Sequence, residues 1–570
     1  MSCPSVRLAH GLLTLTAALA HSGNLLAQAG RSSPGVEILT GRFITLDPLS
    51  PHAEALAIRA GRIVAVGSRR YVDSVAGPAA HHTALQGVAL PGFADAHVHA
   101  AALGDYLEAV PLGGASKAQA LARVRGAAVR AKRGTWIRGG GWDQSFWSPP
   151  DFPTAAELDR ASAGHPVLLE RIDGHAIWVN SRAMQLAGVT RATADPPAGR
   201  LLRDPTGAPT GIFVDDAMDL MRRAMPPLSM DGRVRRLRLA LAQYARWGLT
   251  SIHDAGIDLA DIAAYRSLGN ERPLPVRVYA MSSAGDSTLS AVIARGPEIG
   301  SYGGTFTLRT VKIVDDGALG SRGARLSTPY SDDPSQRGFD LAPNGRLDTL
   351  IARSMARGFQ VAVHAIGDAS VRDVLDGFER AGPAGPASRF RLEHASMITD
   401  ADLPRLTRLG VIASMQPVFV GEYSRFAEAR LGKARLPWVY RTRDVVASGA
   451  VVAAGTDFPA SDTGNPIATL SAMVTRRGYD GKPTDGWLAG QSVTVDVALR
   501  SMTIGAAFAA FEENDAGMLR AGMRADLTVL SADPYAMPAD RLATLTVLRT
   551  IVGGKTTYHR ENTGGSRTAG

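Results

Sequence analysis

The stretch Pro91-Gly92-Phe93-Ala94-Asp95-Ala96-His97-Val98-His99 decides the fold, because it closes an apolar run with two histidines spaced two residues apart. On a β-strand, residues i and i+2 face the same side. If that side is the inside of a barrel at its C-terminal rim, the two imidazoles converge on one point, as metal coordination requires. Taken alone, the pair fits a structural role equally well, so the pattern downstream has to decide.

Downstream, short apolar runs recur with helix-like stretches between them, the alternation of βα units and a parallel sheet. They are Val88 to Phe93, Thr250 to His253, Val276 to Tyr279, Thr307 to Val314, Gln360 to His364, Phe390 to His394, Val411 to Met415 and Val451 to Thr456. Eight such strands close a (β/α)8 barrel. The first gap is far longer than the others, so residues 113–230 form an insertion, rich in Trp, Gly and Pro, at the barrel mouth. Both chain ends have a different texture, with hairpin-like β runs at 36–67 and 522–555 that can pair into one small sheet domain.

Several barrel runs end on residues able to hold a metal: His364, His394 and, just past the last run, Asp457. Imidazoles and a carboxylate gathered round one barrel axis suit a divalent cation such as zinc. Lys312 lies within the fourth run, where a buried ammonium is disfavoured and cannot ligate a metal. Reaction of its neutral amine with carbon dioxide would give a carbamate able to bridge two ions. A salt bridge to Asp315 or Asp316, or an unmodified lysine beside a single ion, remains the alternative.

With 570 residues, the chain exceeds one small module at about 150 residues per domain. Its 45% hydrophobic and 20% charged content is that of a folded globular protein. The formal charge of +9 is spread along the chain as isolated arginines without a basic run, which argues against nucleic-acid binding. Cys3 is the only cysteine, so thiolate metal sites and cysteine nucleophiles are excluded from the rest of the chain. Arg7, the apolar stretch from Gly11 to Ala20, and Ala27-Gln28-Ala29 read as a secretory signal peptide cleaved after Ala29. The expected location is the bacterial periplasm, without a membrane span; a homo-oligomer is left open.

These motifs, together with Gly141-Trp142-Asp143, Asp173-Gly174-His175, Asp316-Gly317, Glu393-His394, Gln416-Pro417 and Gly455-Thr456-Asp457-Phe458-Pro459, resemble the amidohydrolase superfamily. The likeness is to its amidohydrolase-3 branch, which includes YtcJ-like proteins and N-substituted formamide deformylases, and it spans essentially the whole chain after residue 29. The resemblance implies an α/β fold: a (β/α)8 TIM barrel with a long insertion after strand 1, plus a small β-sandwich domain built from both chain ends. The expected division is signal peptide 1–29, sandwich 30–88, barrel 89–505, sandwich 506–560 and a disordered tail 561–570.

The resemblance also implies that His97 and His99 hold an inner metal, His364 and His394 an outer one, and carboxylated Lys312 bridges them. Asp457 is then both ligand and general base. One or two ions, zinc foremost, would activate a hydroxide to cleave the C–N bond of a small amide, an N-substituted formamide or N-acyl compound. An ester, lactone or carbamate hydrolase using the same site is the alternative, and a non-catalytic binding relative a more remote one. Trp142, Asp143, His175, Asp316 and Arg322 are candidate substrate contacts, although Trp142 equally suits the insertion's own core. His253 carries no metal role in this pattern.

Overall fold

The computed structural model describes residues 35–561 apart from 172–175, 197–198, 344 and 383–387. The signal peptide, His175 and the tail beyond Glu561 lie outside the described residues. Eight parallel strands form a nearly closed barrel: β1 Phe93–Val98, β2 Leu249–Ile257, β3 Arg277–Ser283, β4 Phe306–Val314, β5 Gln360–Ala365, β6 Arg391–His394, β7 Ile412–Met415 and β8 Val452–Ala454. They are rich in Val, Ile, Leu and Ala because parallel strands under helices are buried on both faces. Among the described residues, no helix is long and apolar enough to cross a membrane.

The first apolar run is displaced from its expected place. Val88, Ala89 and Leu90 belong to the preceding strand His81–Pro91, which pairs antiparallel with Leu527–Leu530, and the barrel begins only at Phe93. Burial on both sides of the junction makes the two strands read as one run, while Gly92 is the joint between them. A Cβ there would meet the side chain of Thr250 at 2.1 Å.

Both chain ends contribute to a seven-stranded sheet that folds over on itself, since Ile58 and Ile63 near one edge share a core cluster with Leu527 and Ile551 near the other. This sheet seals the N-terminal end of the barrel. Arg277 at the start of β3 forms a buried two-pronged pair with Asp526, and Thr528 accepts the amide N–H of Phe93 through its hydroxyl at 3.0 Å. Between β1 and β2 a six-stranded sheet runs from Val110 to Asp215 and keeps cores of its own, so the long gap is an independently packed subdomain.

The seam between β8 and β1 is closed by side chain as much as by backbone. Asp95 accepts the amide N–H (2.9 Å) and the hydroxyl (2.7 Å) of Thr456, and also the amide N–H of His97 (3.1 Å). Beyond it Asp457 donates its N–H to the carbonyl of His97 at 2.7 Å, and His99 donates to the carbonyl of Phe458 at 3.2 Å. Burial pushes the Asp95 carboxyl up to about 7, with the bonds from Thr456 and His97 opposing that rise.

The seam is tight enough to exclude a methyl group at Gly455, where a Cβ would stand 2.6 Å from the backbone nitrogen of His97 and 2.8 Å from Asp95 Oδ1. Gly455→Ala therefore forces two strand ends apart. It should lower stability in urea unfolding by about 1–3 kcal/mol or more, the usual penalty of overpacking.

Candidate metal centre

At the C-terminal rim the structure brings His97, His99, Lys312, His364, His394 and Asp457 into one contiguous group. Asp457 Oδ1 lies 2.9 Å from His99 Nε2 and 3.4 Å from His97 Nε2, and its Oδ2 lies 3.9 Å from His394 Nδ1. Lys312 Nζ is 3.4 Å from His97 Nε2. The His394 ring stands 4.3 Å from that of His364 and 4.8 Å from that of His97.

Each strand end is bent or capped to aim its side chain inward. His394 (φ 72°) and Asp457 (φ 62°) both adopt the left-handed conformation, at a cost of roughly 1–2 kcal/mol each. His99 ends β1 at the head of the helix Ala100–Glu108 without a side-chain cap of its own. Asp254 on β2 takes that role, accepting the N–H of Ala100 at 3.0 Å while Tyr265 donates its hydroxyl to the same carboxylate at 2.6 Å.

The partners of the ring nitrogens fix which of them carries a proton. His97 Nδ1 lies 2.6 Å from Glu393 Oε2, and His99 Nδ1 lies 3.0 Å from the carbonyl of Ala255. His394 Nδ1 lies 2.9 Å from Gln416 Oε1, whose amide is oriented by donating to the carbonyl of Ser414. All three partners accept, so each Nδ1 carries hydrogen and each neutral ring turns an Nε2 lone pair elsewhere, the arrangement typical of ligating histidines. Burial, the largest influence, drives His97, His364 and His394 well below the usual imidazole range. His99 is raised instead, because Asp457 outweighs the effect of burial.

Two acceptors of the group, on Asp457 and His364, have no donor aligned on them. His99 Nε2 and Asp457 Oδ1 stand 2.9 Å apart, yet Asp457 Oδ1 has no aligned donor, and His364 Nε2 is buried without a hydrogen bond. Such a set of nitrogen and carboxylate lone pairs fits a borderline divalent cation. Three of these residues, His97, His99 and Asp457, each present a ligand atom within 4.8 Å of the others. Burial would raise the Asp457 carboxyl, but His97, His99 and Lys312 hold it below the usual range. The Lys312 amine is pushed down, chiefly by burial, and among the described residues no carboxylate lies within 4.0 Å of it.

The residues expected to contact substrate have protein partners of their own. Trp142 is fully buried in the insertion, donating to the carbonyl of Leu169 and packing against Trp147 and Trp178, so it anchors that subdomain's core. Asp143 pairs with Arg171 and caps the turn at Ser145. Arg322 pairs with Asp332 at an exposed turn. Asp316 is fully buried and accepts the backbone N–H groups of Arg325, Ile366 and Gly367, and its Oδ1 lies 3.5 Å from His364 Nε2.

Sequence reasoning passed over what stands behind the site. Arg391 and Glu393, both fully buried, form a 2.6 Å pair, and Arg391 also reaches His253 Nδ1 (3.0 Å) and the carbonyl of Ala96 (2.7 Å). The available signal was two opposite charges two residues apart within an apolar strand.

Against known proteins, the profile described as "Amidohydrolase family" matches residues 84–558. YtcJ of Bacillus subtilis (strain 168), named as an amidohydrolase, is 30% identical over 91% of this chain and 99% of its own. The N-substituted formamide deformylase of Arthrobacter pascens is 27% identical over 92% of this chain and 98% of its own. The crystal structure of an uncharacterized metal-dependent hydrolase from Pyrococcus horikoshii OT3 superposes with a TM-score of 0.75 at 27% identity, over 89% of this chain and 99% of that one.

Removing one partner of a fully buried ion pair strands the other charge. Glu393→Ala should destabilise the fold by about 3–5 kcal/mol in urea unfolding. Replacing Arg391 and Glu393 together by apolar residues should recover much of that loss.

Proposed function

The chain belongs to the Amidohydrolase family, and from that premise we propose that this metal-dependent hydrolase cleaves the C–N bond of a small amide, an N-substituted formamide or another N-acyl compound. The observation that carries the reading is the convergence of Nδ1-anchored histidines on Asp457, with unpaired acceptors facing one another. The likeness to a formamide deformylase over nearly the whole chain supports the choice of bond.

His97, His99 and Asp457 would hold one divalent ion, and His364 and His394 a second, with zinc the best match to this ligand set. An ion so held supplies Lewis acidity, polarising the substrate carbonyl and making water nucleophilic near neutral pH. Asp457, whose carboxyl lies below its usual range, accepts a proton from the attacking water as the O–C bond forms. It returns that proton to the departing nitrogen as the C–N bond breaks, so an acid and an amine leave the site. Glu393 and Gln416 hold the His97 and His394 rings in the ligating tautomer throughout.

Lys312 completes the set as a carbamate. Burial favours its neutral amine, which forms an N–C bond to carbon dioxide and releases a proton to solvent. The product is an anion placed among histidines, where an ammonium would repel the ions.

Purified protein loaded with zinc or manganese should hydrolyse members of a panel of N-formyl amines and N-acyl compounds in preference to matched esters and lactones. Preference for the esters or lactones would replace the amide reading. Asp457→Asn keeps the size of the side chain but cannot accept a proton, so turnover should fall by about 10² to 10⁴; wild-type turnover would remove the proton-transfer role. Lys312→Ala should lose most bound metal, measured by elemental analysis, and a short carboxylic acid supplied in solution should restore part of both metal and activity. Full metal content in Lys312→Ala would end the bridging role.

A further inference from the structure

Single exposed apolar side chains are ordinary on a protein surface, whereas several gathered beside a functional centre call for an occupant. Such a group stands at the C-terminal end of β4. Val314, the last residue of that strand, is 44% exposed, and Leu341 and Phe339 are 50% and 56% exposed. Leu341 donates its N–H to the carbonyl of Asp315 at 2.8 Å, which fixes it beside the strand end. Phe339 donates to the carbonyl of Gly323 at 3.0 Å, and the same carbonyl accepts the N–H of Gly317, three residues past Val314.

The strand itself decides where Val314 points, because side chains two residues apart share a face. Lys312 Nζ lies 3.4 Å from His97 Nε2, and Thr310 bonds to Tyr279 and Gln360 inside the barrel. Val314 therefore faces the barrel axis as they do, one step nearer the mouth. The register agrees: Lys312 pairs with Ala362 and Val314 with His364 on β5, without a shift between them. Paired residues on neighbouring strands stand about 4.8 Å apart and project to one side, so Val314 is the neighbour of a residue of the centre. Beneath it, Ala255, Met281 and Ala362 form a buried apolar cluster on β2, β3 and β5. His364 and His99 keep part of their side chains open to solvent, while His97 and His394 are buried. A substrate that reaches the centre thus comes past Val314.

We propose that Val314 is a substrate-contacting residue that sets selectivity: with Leu341 and Phe339 it forms an apolar lip on which a substituent of the amide rests while the carbonyl meets the centre. The inference rests on the amide reading above and names the side chain that chooses among such amides. An alkyl chain laid on the lip removes its own surface and that of the lip from water, and the gain grows with each carbon covered. A small or polar substituent leaves the lip wet.

The test uses two series cleaved by the metal-loaded enzyme, N-alkylformamides from methyl to hexyl and N-methylalkanamides of matched carbon count, so that the chain lies on the nitrogen side or the acyl side. In at least one series kcat/KM should rise roughly three- to four-fold per methylene, the transfer value of a CH₂ group, and chiefly through KM. Val314→Thr keeps the shape of the side chain and its fit to a strand but makes it polar, so the slope should flatten and the long members should lose more than the short ones, with Tm unchanged. Val314→Ile should retain the slope, and Leu341→Ser should reduce it. Calorimetric titration of EDTA-treated protein with N-hexylformamide and N-methylhexanamide reads the lip without turnover, and Val314→Thr should bind the preferred compound more weakly than wild type. Amides cleaved with no dependence on chain length would overturn the lip and leave the amide reading standing. A slope that depends on Val314 in matched alkyl formates or methyl alkanoates, with no amide cleaved, would overturn the amide reading and keep the lip. Equal loss on all members with a lowered Tm would mark Val314 as structural only, and equal affinity of wild type and Val314→Thr for both hexyl compounds would also overturn the proposal.

Discussion

The carboxylate of Asp95 is the constraint on which the rest of the structure depends. β8 has only three residues and forms no regular ladder with β1, so the barrel would gape at that edge without a side chain to span it. By accepting two donors from Thr456 and one from His97, Asp95 sets the height of the last strand against the first. The residues immediately beyond the clasp are His97, His99 and Asp457, so closing the barrel and assembling the centre are one event. Gly455 is there because nothing larger fits between the strands once they meet.

Behind the centre, order is imposed by acceptors rather than by packing alone. A histidine ring can present either nitrogen, and free rotation or tautomerism would leave a metal with a shifting set of donors. Glu393, Ala255 and Gln416 remove that freedom one ring at a time. Glu393 is in turn held by Arg391, which spans the barrel interior to Ala96 and Ser414. The ion pair is therefore less a source of stability than a device for pointing one imidazole, since buried pairs roughly break even against apolar packing.

How much of this was legible in the sequence varied with the kind of information each feature carries. Strands buried on both faces announce themselves as unbroken Val, Ile, Leu and Ala runs, and the polar residues in them or at their ends, with the family resemblance, pointed to the six residues that the structure gathers at one rim. The start of β1 was misplaced because burial continues unbroken across Pro91 and Gly92 into another sheet. Trp142, Arg322 and Asp316 show a different limit: a tryptophan, an arginine or an aspartate has the same letter whether it meets a ligand, an ion-pair partner or a backbone amide. The carbonyl of Ala255 carries no letter at all, so no reading of side chains could have found it. Arg391 and Glu393 were visible as a charged pair within an apolar strand, a combination that only a buried function explains.

The clasp at Asp95 joins residues 361 positions apart, and the bond from His97 to Glu393 joins residues 296 apart. Contacts of such sequence separation form late, because the entropy of closing the intervening chain must be met before they contribute anything. A polypeptide emerging from the ribosome thus has the first two histidines of the centre long before it has the partners that shape them. Until the eighth strand arrives, those histidines are ordinary side chains on an open sheet edge, and only the completed barrel offers an ion the full set of donors.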